Sequence, residues 1–164
     1  MAEDSIDRMV GEWARSAPEL DAGVLHVVGR LFRSAEIGQR MIAEALRSLG
    51  LSYGDFDVLN TLRRRGEPAG TKPTELARSS LITSGAMTAR LDRLDRLGLV
   101  RRERDPDDRR GVLVHLTERG ERVAEQALDA VLAADERFLA PLDADRRAQL
   151  AAILKPLLLH HESG

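Results

Sequence analysis

Arginine and small hydroxyl side chains follow one another in the segment from Lys72 to Thr117, and both types can bind phosphates and base edges. The planar fork of a guanidinium group fits either target. The segment includes a helical pattern, SGAMTARLDRLDRL, which Gly98 ends. Hydroxyl residues at a helix start allow close approach to DNA, and the free N–H groups there attract phosphate. We therefore predict a DNA-reading face on this helix, formed by Thr83, Ser84, Thr88, Arg90, Asp92, Arg93 and Arg96.

A second group of arginines lies on a predicted hairpin that follows this helix. Arg109 and Arg110 occupy its polar turn, DPDDRRG, where an arginine is well placed to enter the minor groove. Acidic residues interleave with the hairpin's basic ones, so a solvated, salt-bridged face is the alternative interpretation. The neighbouring helix–turn–helix pattern favours DNA. The other arginines of the hairpin are on its first strand, at Arg101, Arg102 and Arg104.

Hydrophobic periodicity defines the elements that must position these side chains. Ser52, with Asp55 three residues later, predicts a helix start, Pro73 suits a first helical position, and Thr117 suits a cap. Pro156 is expected to bend or end the last helix. The predicted helices cover residues 5–15, 20–49, 52–66, 73–80, 84–97, 117–139 and 144 onward, and the two strands cover residues 99–104 and 112–116.

This order of elements predicts a mainly α fold with a small two- to three-stranded β wing. Residues 51–116 would form a winged helix-turn-helix lobe. Residues 1–50 and 117–164 would form a helical dimerisation region, because their amphipathic helices must bury an apolar side against each other or a second subunit.

Composition narrows the classes of protein that fit. The 164 residues have a net charge of −2 and contain no cysteine, which excludes disulfides and thiolate metal sites and suits a reducing cytoplasm. No apolar run is long enough for a membrane span, and the acidic N-terminus is unlike a secretory signal. The histidines lack metal-ligand spacing, and hydrolase and nucleotide-binding motifs are missing. We expect no metal, no cofactor and no enzymatic activity.

The segment TSGAMTARLDRLDRLGLVRRERDPDDRRGVLVHLTERG, preceded by PTELA, resembles the core of the MarR family of transcription regulators. The resemblance extends over about residues 20–160. It implies a homodimer in which the first and last helices interlace and each wing lobe reads half of a palindrome in double-stranded DNA. It also implies that an Asp–Arg pair, Asp108 and Arg110, fixes the wing, and that Arg109 is the groove arginine.

A narrower resemblance concerns the added N-terminal helix with EWARSAPELD, which is similar to the urate-responsive branch of that family. The branch combines a tryptophan on this helix, an Asp and an Arg seven residues apart before the DNA lobe, and an Arg on the reading helix. Trp13, Asp57, Arg64 and Arg90 match these positions. The resemblance implies a repressor that releases DNA when urate or another purine binds.

The four residues also suit such a ligand on chemical grounds. A planar anion needs an aromatic wall and a cation, which Trp13 with Arg90 or Arg64 would supply. An anion that competes with Asp57 for an arginine partner would bind one conformation of the protein more tightly than the other. Control by a ligand requires such a difference in affinity. Three alternatives stay open: a tricarboxylate effector of the aconitate or citrate type, a winged-helix interaction module without effector, and packing or ion-pair roles for these residues. The sequence does not specify which effector binds or which operator is recognised. It also does not specify whether the regulator represses or activates transcription.

Overall fold

The computed structural model describes residues 2–80, 84–108 and 111–162, apart from the side chains of residues 84–86. These residues form helices and one antiparallel strand pair, which confirms the mainly α fold with a β wing. The chain divides into two compact units between Met41 and Ile42. The elements are α1 (Ser5–Ser16), α2 (Leu25–Leu46), α3 (Tyr53–Arg65), α4 (Pro73–Ser79), α5 (Ser84–Arg96), β1 (Val100–Arg104), β2 (Val112–Leu116), α6 (Glu118–Phe138) and α7 (Ala144–Glu162).

The first unit is held together by charges at the start of α1. Asp4 caps this helix by accepting hydrogen bonds from the backbone N–H groups of Ile6 and Asp7, at 2.8 and 2.9 Å. Arg30 of α2 then bonds the carboxylates of Asp4 and Asp7, at 2.9 and 2.7 Å. Ile6 is buried and lies against Gly29, where α2 has no side chain. The predicted N-terminal helix is therefore confirmed.

The predicted start of the second helix at Leu20 is wrong, because α2 begins at Leu25. The Asp21 carboxylate accepts a hydrogen bond from the Gly23 N–H at 3.0 Å. Such a local side-chain bond offers the backbone an alternative to the helix. The other end agrees with the prediction: a short 3₁₀ turn, Arg47–Leu49, leads to Gly50 with a positive φ of 65°.

Helix α3 is the centre of the second unit. Its predicted capping box is present, since the side chains of Ser52 and Asp55 each accept a hydrogen bond from the other's backbone N–H. Gly66 ends the helix with a φ of 58°. Helices α4, α5 and α6 and strand β2 all pack against it. Its buried residues are Gly54, Asp55, Phe56, Asp57, Val58, Leu59, Thr61 and Leu62.

Helices α4 and α5 form the helix-turn-helix. Pro73 is the first residue of α4, as predicted, and Gly98 ends α5 with a φ of 67°. Met87, Leu91 and Leu94 fill the inner face of α5. Residues 81–83, which include the predicted DNA-face residue Thr83, lie outside the described residues.

The wing is the β1–β2 hairpin. Val100 pairs with Leu116 at its base and Arg104 with Val112 at its far end. Thr71 adds an isolated bridge to Val114 on the open edge of β2, so the two-stranded wing has one further backbone contact. The inward side chains of Val100, at the base, and Val114, in the middle of β2, are buried, which fastens the hairpin to the lobe.

Two long helices follow the wing. Thr117 caps α6 by accepting a hydrogen bond from Gly120 N–H at 2.9 Å, as predicted. Of the two effects expected at Pro156, an end of the last helix is wrong, because α7 continues to Glu162, and a bend stays a prediction. A proline removes one helical hydrogen bond and strains the preceding turn, but the neighbouring turns keep their own bonds. The apolar side chains of Leu150, Ile153, Leu157, Leu158 and Leu159 on α7 are exposed.

Gly120 provides a test of the junction between wing and α6. A Cβ atom at this position would overlap the carbonyl oxygen of Leu99. We expect Gly120→Ala to lower the free energy of unfolding by about 1–3 kcal/mol, although alanine favours helices, because the backbone contact must open. Chemical denaturation measures the change.

Gly38→Ala is the matched control, since a Cβ there meets open space in the middle of α2. We expect this variant to gain about 0.5–1 kcal/mol from helix propensity. Equal effects of the two substitutions would contradict the tight contact at Gly120.

Candidate DNA interface and effector residues

The predicted reading face is partly available on α5. Thr88 and Arg96 are exposed, and Arg96 donates a hydrogen bond to the Asp92 carbonyl one turn earlier at 3.3 Å. Ser84 is the first residue of α5, which puts it at the free N–H end of the helix. The outer face of α5 thus combines a hydroxyl, an exposed cation and a helix start, which together suit phosphate and base contacts.

Two arginines of α5 are instead directed toward the start of α3. Arg90 donates to the Ser52 hydroxyl at 2.9 Å and lies 3.6 Å from the Asp55 carboxylate. Arg93 donates to the same carboxylate at 3.2 Å and to the Gly50 carbonyl at 2.9 Å. These contacts join α5 to the beginning of α3. We call Ser52, Asp55, Arg90 and Arg93 the α3–α5 clamp.

Asp55 is the centre of the clamp, with a side chain only 1% exposed. Burial raises the pKa of this carboxyl, but hydrogen bonds from the backbone and hydroxyl of Ser52 and from Arg93 outweigh burial and hold the pKa below its ordinary value. The group is therefore charged at neutral pH. A buried carboxylate that lost its cations would be strongly unfavourable, so the clamp favours one position of α5.

Gly54 makes the clamp possible. A Cβ atom there would overlap the guanidinium of Arg90, so the absence of a side chain lets Arg90 lie against the backbone of α3. The sequence pattern indicated a helix-capping role for Asp55, but it indicated neither its two arginine partners nor the role of Gly54. The capping box was visible in the sequence, but the contacts to residues 38 positions later were not.

The other predicted effector residues lie at different places. Asp57 is buried on α3, where its charge contributes to raising the pKa of Tyr53 after the larger effect of burial. Arg64 is exposed and donates to the Ser79 carbonyl, at the end of α4, at 2.9 Å. Arg64 lies near the end of α3, whereas Arg90 contacts its start, roughly 15 Å away along the helix axis. Trp13 belongs to the first unit and is 43% exposed.

The neck of the wing loop is held by an aspartate that the sequence analysis did not single out. The buried Asp105 carboxylate contacts Lys72 Nζ at 2.9 Å and accepts the Asp107 N–H at 2.9 Å. Asp108 is exposed, and its carbonyl accepts the Gly111 N–H at 2.8 Å. Arg109 and Arg110 lie outside the described residues, so the Asp108–Arg110 pair stays a prediction.

A cleft of about 340 Å³ opens between the end of α3, the following loop and the base of the wing. Arg63 and Glu67 in its walls each face an oppositely charged side chain, Glu125 at 3.1 Å and Arg65 at 2.5 Å, and His115 Nε2 lies 3.3 Å from the Glu103 carboxylate. Burial, followed by the charge of Arg101, lowers the pKa of His115 and keeps it neutral at neutral pH. We assign no ligand to this cleft.

Two other types of site are absent from the described part of the chain. It holds no cluster of three histidine or acidic side chains able to bind a metal ion. None of its helices is long and apolar enough to cross a membrane.

Comparisons with known proteins agree with this arrangement. A sequence profile of the MarR family matches residues 49–111. The transcriptional regulator PecS of Dickeya dadantii is 30% identical, over 91% of this chain and 90% of PecS.

Solved structures match over most of the chain. Escherichia coli MarR carrying a C80S substitution and complexed with operator DNA is 32% identical with a TM-score of 0.71, covering 89% of this chain and 97% of that one. Rv2887 of Mycobacterium tuberculosis, complexed with p-aminosalicylic acid, is 31% identical with a TM-score of 0.63, covering 80% and 97%. The relatives are transcriptional regulators and not enzymes. The chain belongs to the MarR family of winged-helix transcriptional regulators.

Proposed function

We propose that this regulator is a cytoplasmic repressor that binds palindromic duplex DNA as a homodimer and is released by a small organic anion such as urate or another purine. The observation that carries the proposal is the α3–α5 clamp. An arginine of the reading helix is held by a carboxylate, and an anion could compete for that arginine. The ligand would then alter the position of α5.

DNA binding is the first part of the proposal. Escherichia coli MarR, with the same fold, has been solved on operator DNA. Thr88 and Arg96 of α5 are exposed here, and the helix start is at Ser84. We propose that the complete interface consists of Thr83, Ser84, Thr88, Arg93, Arg96, Asp108, Arg109 and Arg110, with Arg93 leaving the clamp in part when DNA offers a phosphate.

A homodimer is the second part. On α2, Phe32 is 74% exposed, and on α7, Ile153 is 65% exposed. Exposed apolar side chains that follow one another along a helix mark interaction surfaces. The MarR resemblance predicts that the first and last helices interlace, so a second copy of this chain is the occupant we propose for both surfaces.

An effector site on Trp13, Asp57, Arg64 and Arg90 is the third part. The proposed effector would stack on Trp13 and attract the guanidinium of Arg90 away from Asp55. Rv2887 has been solved with p-aminosalicylic acid, which is also a planar acid. A tricarboxylate remains the alternative effector. A thermal-shift screen of purines, phenolic acids and citrate-like acids separates these classes, because a ligand selective for the native state raises the melting temperature.

The dimer is tested by sedimentation at micromolar concentration. We expect a single species of twice the chain mass, because the apolar side chains of α2 and α7 need a partner. Replacing Ile153 by Glu should shift the distribution toward monomer. His160→Glu, which adds charge on the same helix at an exposed polar position, is the control. A well-folded wild-type monomer would contradict the proposal.

The groove assignment is tested with Arg109→Ala. We expect weaker operator binding and a salt dependence lower by about one counterion per subunit, because one DNA-bound cation is lost. Fluorescence anisotropy at several salt concentrations measures both quantities. Arg122→Ala removes an exposed arginine of α6 and should change neither. Unchanged affinity and salt slope for Arg109→Ala would overturn the assignment.

The effector site is tested with Trp13→Phe and Arg90→Ala. The first variant should raise the effector concentration needed for DNA release and leave DNA affinity near wild type, because Trp13 is not on the reading lobe. The second should affect both, since it breaks the clamp. Quenching of the single tryptophan gives a direct titration. An unchanged release midpoint in Trp13→Phe, with no fluorescence change in the wild type, would place the effector elsewhere or favour a module without effector.

A further inference from the structure

The ion pair between Lys72 and Asp105 joins two parts of the lobe that are 33 residues apart in sequence. Lys72 is the residue before the first turn of α4, and Asp105 directly follows β1. Their charged atoms are 2.9 Å apart, and the carboxylate side chain is 6% exposed while the lysine is 43% exposed. The start of the helix-turn-helix is thus bonded to the neck of the wing loop.

Asp105 also closes the wing loop itself. Its second carboxylate oxygen accepts the N–H of Asp107 at 2.9 Å, and its own N–H donates to the Gly111 carbonyl at 3.0 Å. A Cβ atom at Gly111 would approach the Asp105 Cβ to 2.8 Å, so the loop closes tightly around this residue. One oxygen of Asp105 therefore shapes the loop, and the other connects the loop to Lys72.

The charges of this pair are mutually stabilised. The hydrogen bond from Lys72 is the largest cause that lowers the pKa of Asp105, and the same bond raises the pKa of Lys72. Both groups are charged across the physiological pH range. Removing Lys72 would leave the buried Asp105 carboxylate without its cation. Removing Asp105 would leave Lys72 free to move away from the wing loop.

The pair acts at a different place from the other wing contacts. Next to Lys72, Thr71 exchanges two backbone hydrogen bonds of 3.0 Å with Val114, which fastens the middle of β2. Arg102 of β1 contacts Asp92 of α5 at 2.5 Å, but both side chains are substantially exposed. The Lys72–Asp105 pair joins the residue before α4 to the loop that begins at residue 105.

We propose that Lys72 and Asp105 are positioning residues that set the wing loop relative to α4, so that the loop and the reading helix contact DNA in register. This inference rests on the proposed DNA-binding function. Lys72 need not touch DNA in this role. The pair acts by holding the loop that carries the predicted groove arginine, whereas the hairpin is fastened to the lobe by its buried valines.

A double-mutant cycle on the full-length protein tests the inference. We expect Lys72→Met and Asp105→Asn each to weaken operator binding about tenfold, and the double variant to be no more than about threefold worse than either, because all three remove one interaction. Lys72→Arg keeps the charge and should bind nearly as wild type. Glu118→Gln, which breaks the exposed Arg122–Glu118 pair of α6, is the control and should show no change.

Two further measurements separate positioning from direct contact and from general destabilisation. Hydroxyl-radical footprints of Lys72→Met should lose protection where the wing contacts DNA and keep it where α5 contacts DNA. Amide hydrogen exchange without DNA should accelerate in residues 105–111 and stay unchanged in α5. If Asp105→Asn fails to fold, Lys72→Met and Lys72→Arg still decide the question, because Lys72 is half-exposed.

The contrary outcomes are distinct. If Lys72→Met lowers the salt slope by about one per subunit while Asp105→Asn binds normally, Lys72 is a phosphate contact and the inference is wrong. The inference would also be overturned if both single variants lost footprint protection evenly along the DNA and had a lower melting temperature. That result would indicate a general structural role for the pair. If the wild type binds no DNA, the proposed function fails. Unchanged amide exchange of residues 105–111 in Lys72→Met would independently show that the Lys72–Asp105 pair does not position the wing loop.

Discussion

The position of the helix-turn-helix in this lobe depends on the burial of α3. This helix is enclosed by α4, α5, α6 and β2, and it carries polar residues at both ends that reach those neighbours. At its start, Asp55 is almost fully buried and must be matched by cations, which α5 supplies. At its end, Arg64 and Arg65 bond Ser79 at the end of α4. The apolar middle of α3 stabilises the lobe, and its ends determine how the helix-turn-helix is oriented on it.

Arginine content is a poor measure of the charge available to DNA in this protein. The chain has 25 basic and 27 acidic residues, and many of the arginines that the structure describes face a carboxylate. Such pairs weaken the positive field of the surface but fix the geometry of the groups that remain free. A regulator built in this way would bind DNA through a few well-placed cations. Its association with unrelated DNA would be weak, because that association depends on total positive charge.

Local signals in the sequence predicted most of the fold and little of the polar network. Caps at Ser52 and Thr117 and glycine stops at Gly66 and Gly98 depend on neighbouring residues, and the structure agrees with them. The start of α2 was misplaced because the Asp21–Gly23 turn competes with a helical pattern that looks continuous. Asp55 and Asp105 could not be recognised as partners of Arg90 and Lys72, since nothing local marks a contact across more than 30 residues. The chemistry of the residues predicted the DNA-reading face, and the family resemblance added the effector hypothesis, which periodicity alone does not contain.

The glycine beneath Arg90 has a consequence for how this regulator tolerates variation. Gly54 carries no charge and is not itself a predicted DNA contact, yet any side chain there would displace the Arg90 guanidinium from its place on α3. Genetic selection for variants that repress permanently, or not at all, should therefore yield changes at codon 54 as well as at the charged positions. Among natural relatives, we expect glycine at this position wherever Arg90 is retained. Other residues should occur there where a smaller residue replaces the arginine.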